Sequence, residues 1–133
     1  MQSTRQIHFR SSRFAIEPGE DQETNPGIFG RALASWLAEQ LAARGWRIKG
    51  CIAEDFGRVV EVEHARFGAF VACASGHDGA DSWQAFAFVE GGGIRGIFAG
   101  AEKLRLADKL LADVELVLRE DPNTSEMQVE GAS

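Results

Sequence analysis

The residues best suited to covalent chemistry are a cysteine and a histidine near the middle of the chain. Cys73 lies four positions before His77, and the carboxylates of Asp78 and Asp81 follow in the same segment. A histidine beside carboxylates can act as a general base, and a cysteine near it can act as a nucleophile. The segment GHDGADS also has the composition of a polar hairpin turn, and this interpretation is favoured. A hydrolase built on Cys73 and His77 is therefore the third of our functional hypotheses.

Ligands for a metal are present but poorly spaced. Cys51, His64, Cys73 and His77 can in principle surround a zinc ion tetrahedrally. Structural zinc sites favour close pairs of ligands, and these four residues lack such pairs. We therefore predict no metal site, and we assign no catalytic residue.

A glycine-rich segment matches a nucleotide-binding fingerprint in its spacing. Gly91-x-Gly93-x-x-Gly96 follows a predicted strand. The fingerprint should open directly into a helix inside a βαβ unit, whereas residues 94–98 have an extended pattern and the preceding strands form hairpins. A flexible connection is the favoured interpretation, and we predict no cofactor.

Two adjacent acids, Glu54 and Asp55, precede Phe56 and Gly57 in a predicted turn. Adjacent side chains diverge along an extended chain, so this pair is poorly placed for acid–base catalysis. As surface acids, these two residues are suited to contact with a basic partner.

The stretch that positions most of these residues is a central hairpin. Residues 67–90 comprise two apolar runs joined by the polar segment around His77 and Asp78. Phe86 and Phe88 point to one side of the second run, and Trp83 points to the other. Neither side is polar, so both faces of this part of the sheet are expected to be buried away from solvent.

Hydrophobic periodicity predicts the remaining elements. Strands are expected at about 5–16, 46–53 and 58–63, and amphipathic helices at about 27–44 and 101–120. Asn25-Pro26 has the composition of a helix start. The polar residues 17–25 are predicted to form a mobile surface loop, and residues 121–133 a frayed tail after a single domain at 1–120.

This order of elements predicts an α+β fold. A five-stranded, largely antiparallel sheet would carry both helices on one face, in a β-α-β-β-β-β-α order. The layout is similar to folds of the TATA-box-binding-protein-like or profilin-like kind, a similarity that carries no function on its own. The second face must then be solvated, covered by the loops at 17–25 and 91–100 together with the bent first strand, self-associated, or occupied by a partner or ligand.

The charge and hydropathy of the chain limit the classes of partner that it is expected to bind. The 133 residues carry a formal net charge of −6, which argues against a general nucleic-acid binder because phosphate contacts need a basic face. No apolar stretch is long enough to span a bilayer, and the N-terminus has no apolar run of signal-peptide length, so we predict a cytoplasmic protein without a membrane partner.

The turn at Ala53-Glu54-Asp55-Phe56-Gly57 resembles a Pro-Glu-Asp-Trp-Gly-Trp turn of small uncharacterised bacterial α+β proteins. Some of those proteins are similar to toxin-neutralising immunity proteins. In this chain Ala53 replaces the proline, Phe56 the first tryptophan and Arg58 the second. The resemblance implies a bacterial α+β domain that binds another protein.

The function we predict is non-enzymatic binding. The leading hypothesis is a small protein-interaction domain or homodimer that uses an apolar sheet face and its acidic turns, and an acidic surface suits a basic protein partner. The alternative is a small-molecule-binding domain with an aromatic-lined pocket. The candidate binding residues for the two hypotheses are Glu54, Asp55, His77, Asp78, Trp83, Phe86 and Phe88.

Overall fold

A computed structural model of the chain describes residues 2–76, 79–94 and 98–131. It contains seven strands, β1 (Gln2–Ser3), β2 (Gln6–Ser11), β3 (Ile48–Glu54), β4 (Gly57–Val62), β5 (Gly68–Ser75), β6 (Ser82–Glu90) and β7 (Thr124–Glu130), and two α-helices, α1 (Arg31–Ala43) and α2 (Gly100–Glu120). Every strand pair is antiparallel. The α+β prediction and the antiparallel sheet are therefore confirmed.

The sheet has six strands along its main path, in the order β3-β4-β5-β6-β2-β7, and the two-residue β1 pairs with β6 beside it. The prediction of five strands was wrong because residues 124–130, which the sequence analysis placed in a frayed tail, pair with β2. Met127 and Val129 of β7 pack against the core, while Gln128 between them is exposed. Burial of these two side chains stabilises a segment whose composition is otherwise polar.

The first helix begins later than predicted. Asn25 and Pro26 lie outside it, and α1 starts at Arg31 after Gly30. Residues 27–30 are held against the end of β5 instead: the Phe29 N–H donates to Ser75 Oγ at 3.1 Å, and the Ser75 N–H donates to the Phe29 carbonyl at 2.7 Å. These contacts tie the segment before the helix to the end of β5.

A buried acid fixes the loop that precedes α1. Glu20, in a short 3₁₀ turn at Glu20–Glu23, is buried, and its carboxylate accepts hydrogen bonds from the N–H groups of Gly30 and Glu17. Arg58 donates to the Glu20 carbonyl at 3.0 Å from inside the protein. The predicted mobile loop is therefore tied to the helix start and to β4.

The second helix has the predicted bounds to within one residue. Its buried stripe includes Leu110, Val114 and Leu118, which recur at a spacing of four as an amphipathic helix requires. At its end Arg13 donates Nε and Nη2 to the two carboxylate oxygens of Asp121, each at 2.7 Å. This ion pair ties the helix end to the segment that follows β2.

Both helices pack on the same face of the sheet. Leu37 of α1, Val114 of α2 and Trp83 of β6 belong to one core cluster, together with every second residue of β4, β5 and β6. Small residues at Ala69, Ala85 and Ala87 in this face let the helices approach the strands closely. Among the described residues, no helix has both the length and the apolarity needed to cross a membrane.

Candidate binding groove on the open sheet face

Strand alternation places a second apolar cluster on the face away from the helices. Val59, Ala72 and Phe88 are buried there, and Phe70 and Phe86 pack against them half-buried. Their neighbours in sequence point into the main core, since successive side chains of a strand alternate between faces. Both faces of the central strands are therefore apolar, as the sequence predicted.

The aromatic side chains of this face form a platform with a depression. The rings of Phe70 and Phe88 stack across β5 and β6 with centroids 4.9 Å apart, and Phe86 lies 6.1 Å from Phe88 along β6. Ala72 stands directly opposite Phe86 in the register of the two strands. Its methyl group leaves open the space that a larger side chain would fill.

The β3–β4 hairpin forms one wall of this depression. Ile52 and Phe56 line the depression and remain 40% and 45% exposed. Gly57 closes the hairpin with a φ of 150°, and a Cβ at this position would lie 2.4 Å from the Cys73 carbonyl oxygen. Because only glycine fits so close to β5, the hairpin is held tightly against the sheet and fixes the position of Phe56.

These elements enclose a groove of about 450 Å³, which we call the apolar groove. Its apolar lining is Ile52, Phe56, Val59, Phe70, Phe86 and Phe88, and the carboxylates of Glu54 and Glu90 also line it. A smaller depression of about 150 Å³ continues beyond Phe56 and Phe86 toward Ala74 and Gln84. The apolar surface thus extends from edge strand β3 to the middle of the sheet.

The charges beside the groove are negative. Glu54 and Glu90 are exposed, and within the described part of the chain neither has a cation within 4.0 Å. Glu61, on the neighbouring strand, is 3.5 Å from Lys49 Nζ. An apolar group that carries a positive charge therefore matches the groove better than a neutral or anionic one.

The other half of the open face is polar. Gln84, His8 and Gln128 lie opposite one another on β6, β2 and β7. Arg10 is held between two carboxylates, with Nη1 2.6 Å from Asp81 and Nε 2.7 Å from Glu126. The hydrogen bond to Asp81 raises the pKa of Arg10, so this guanidinium stays charged and paired. The face is thus divided into an apolar half at β3–β6 and a polar half at β6, β2 and β7.

The predicted binding residues that the structure describes fall into two groups. Glu54, Phe86 and Phe88 line the apolar groove, and Asp55 is exposed in the adjacent hairpin turn. The assignment of Trp83 was wrong, because its side chain is 1% exposed in the core on the helix-covered face. His77 and Asp78 lie outside the described residues.

The thiol of Cys73 is not accessible for nucleophilic chemistry. Cys73 is fully buried in the main core, and this burial raises the pKa of its thiol, which keeps it protonated. Desolvation also raises the pKa of Cys51, whose Sγ lies 3.9 Å from the Ala34 carbonyl. In the described part of the chain, no three His, Cys, Asp or Glu side chains are grouped as a metal site requires.

Sequence reasoning missed several groove residues. Ile52, Val59, Phe70 and Glu90 were not among the candidates, although strand alternation places each on the same face as Phe86 once the register is known. The loops at 17–25 and 91–100 were a possible cover for this face. Neither contributes a residue to the groove lining among the residues that the structure describes.

Comparison with known proteins does not assign the chain to a family. No family model matches the chain, and searches of curated proteins and of solved structures find no significant match. The resemblance of the Glu54 turn to small bacterial proteins therefore stays a prediction.

Proposed function

We propose that this chain is a non-enzymatic protein-interaction domain that binds its partner with the apolar half of the open sheet face. The observation that carries the proposal is the apolar groove, where Ile52 and Phe56 stay exposed beside a stacked aromatic platform. Contiguous apolar patches larger than roughly a few hundred Å² are rarely left exposed on soluble monomers and mark interaction sites. Aromatic side chains in a shallow, partly enclosed site are typical of interface centres.

Charge favours a basic partner over a second copy of the chain. Two copies that met through this face would place two copies each of Glu54 and Glu90 at one interface, and each chain carries a net charge of −6. Like charges at an interface oppose association, whereas lysine or arginine residues of a partner would be attracted. An immunity-type role, which the turn resemblance implies, is a special case of this proposal. The likeness to TATA-box-binding-protein-like or profilin-like layouts remains a proposal about the fold alone.

A selection from random displayed peptides tests the proposal. Peptides are selected on the native protein and then compared on Phe86→Asp, which places a charge in the groove, and on Gln128→Asp, which places the same charge in the polar half of the same face. We expect selected peptides to lose at least tenfold in affinity for Phe86→Asp and to bind Gln128→Asp as they bind the native protein. Peptides that bind both variants equally, or no selected peptide at all, would contradict the proposal.

The second candidate function is small-molecule binding, and the dimensions of the groove favour it. About 450 Å³ with an aromatic lining and two carboxylates falls within the range of ligand sites. A ligand would raise the melting temperature of the native protein without a change in its molar mass. A compound screen by thermal shift, repeated on Phe86→Asp, checks this expectation. Compounds that stabilise both proteins equally would place the ligand elsewhere.

A further inference from the structure

We propose that the partner binds as an extended segment that pairs with the outer edge of β3 and adds a strand to the sheet. The inference rests on the proposed function, because it says how the partner reaches the apolar groove. β3 ends the strand order, with β4 as its one neighbour in the described part of the chain. Among the described residues, no further backbone hydrogen bond reaches β3. Its outward N–H and C=O groups are thus free to pair with another strand.

The edge strand and the groove are one continuous surface. Ile52 and Glu54 belong to β3 and both line the apolar groove. Residues 50–54 pair with β4 in unbroken register, so this part of the edge is regular enough to accept a strand. Side chains of an added strand would alternate between the two faces, and those on the open face would lie beside Ile52 and Glu54.

This geometry specifies the partner sequence. A residue opposite Ile52 meets an apolar surface, and a residue opposite Glu54 meets an exposed carboxylate. The two positions are two residues apart in an extended segment. The partner segment therefore carries an apolar residue and a lysine or arginine at a spacing of i and i+2, with a small or polar residue between them.

The opposite edge of the sheet lacks these features. β7 contains Glu126, which has a φ of 50°, and its pairing with β2 shifts register between His8 and Arg10. The open face beside β7 is polar, with Gln128 and the paired Arg10. A bulged, charged edge next to a polar surface discourages strand addition. The inference applies to the β3 edge for this reason.

A short synthetic peptide tests the mode of binding. Acetyl-Thr-Phe-Thr-Lys-Thr-Phe-Thr-amide presents the apolar and basic pattern in either chain direction. Its affinity for the full chain is measured by NMR titration up to millimolar peptide. We expect Ile52→Asp, on the edge strand itself, to weaken binding at least tenfold and Glu54→Gln to weaken it about two- to fivefold, as for an exposed ion pair. Glu130→Gln on β7 should leave binding unchanged.

Backbone methylation separates strand pairing from side-chain docking. One peptide is N-methylated at Phe, Lys and Phe, and a second is N-methylated at the four threonines. Only alternate N–H groups of an added strand face its neighbour, so we expect one methylated peptide to lose binding and the other to keep most of it. Bound peptide should also slow amide exchange at alternate residues of 50–54.

Each outcome has a separate meaning. No binding of the unmethylated peptide, or binding that both methylated peptides retain, overturns strand addition. Binding that Ile52→Asp weakens but that does not depend on the peptide N–H groups overturns this inference and leaves the proposed function standing. Binding that Ile52→Asp leaves unchanged overturns both, because the groove wall that this edge strand forms would then take no part in binding.

Discussion

Phe70 and Phe88 stack across β5 and β6 with ring centroids 4.9 Å apart, on the face that the helices leave open. Such a pair stabilises the sheet by burying aromatic area between adjacent strands. Phe88 is 9% exposed, so its ring contributes mainly to the stability of the sheet. Phe86 is only half-buried, so part of its ring is accessible to a partner. The groove is thus part of the folded sheet and exists before any partner arrives.

The two phenylalanines of β6 should respond differently to truncation. Phe88→Ala removes a buried ring and is expected to lower the free energy of unfolding by about 3 kcal/mol. Phe86→Ala removes a ring that is partly in water, so we expect a loss of about 1 kcal/mol. Urea unfolding of both variants measures the difference. Equal losses would contradict the assignment of Phe86 as the accessible member.

A methyl group at the hairpin glycine should strain the wall of the groove. Gly57→Ala places a Cβ 2.4 Å from the Cys73 carbonyl at a φ of 150°, so we expect a loss of at least about 1 kcal/mol in the free energy of unfolding. Gly50→Ala, on the facing strand, is the matched control because nothing lies within 4 Å of its Cβ position. In urea unfolding, the free energy of unfolding of Gly57→Ala should be well below that of Gly50→Ala. Similar stabilities of the two variants would mean that the hairpin does not pack against β5 as closely as the structure shows.

The Arg13–Asp121 ion pair predicts a specific loss of stability in acid. Hydrogen bonds from Arg13 lower the pKa of Asp121, although burial of this carboxyl opposes them. Asp121 therefore binds a proton more readily in the unfolded chain, and its contribution to stability is complete above about pH 4 and is lost as the pH falls through its folded pKa. Asp121→Asn should be less stable than the native protein at pH 7, and the difference should shrink below about pH 4. A difference that stays constant down to pH 2.5 would contradict this account.

The C-terminal strand should be needed for stability. Removal of residues 122–133 deletes β7 and exposes the core that Met127 and Val129 cover, so we expect a loss of at least about 2 kcal/mol or failure to fold. Removal of residues 131–133 alone leaves β7 intact and serves as the control. Circular dichroism and urea unfolding compare the two. An unchanged stability after the longer deletion would show that these residues are a tail after all.

Local patterns in the sequence predicted most of the elements. The helix at Gly100–Glu120 repeats its apolar residues over many turns, and the strands of the central hairpin are bounded by turn residues. Both signals lie within the element itself, so neither depends on distant contacts. The alternation that sends Phe86 and Phe88 to one side and Trp83 to the other was also local, and it was correct.

The parts that could not be predicted depend on distant contacts. β7 is stabilised by pairing with β2 more than a hundred residues earlier, although the alternation of Met127 and Val129 with polar neighbours was a usable signal. The start of α1 is displaced by the contact between Phe29 and Ser75. Trp83 was assigned to a binding surface because alternation does not say which face the helices cover. That choice depends on how the whole chain packs.

The most direct test of the central claim is to map where the peptide described above contacts the protein. Backbone and side-chain NMR shifts of the isotope-labelled chain are followed during titration. We predict that the changes are largest at Ile52, Glu54 and Phe56, on the β3 side of the apolar groove, and leave Gln128 and Glu126 on the polar half unchanged. Changes centred on β7 or on the outer faces of the helices would contradict the claim that the apolar half of the open sheet face is the binding surface.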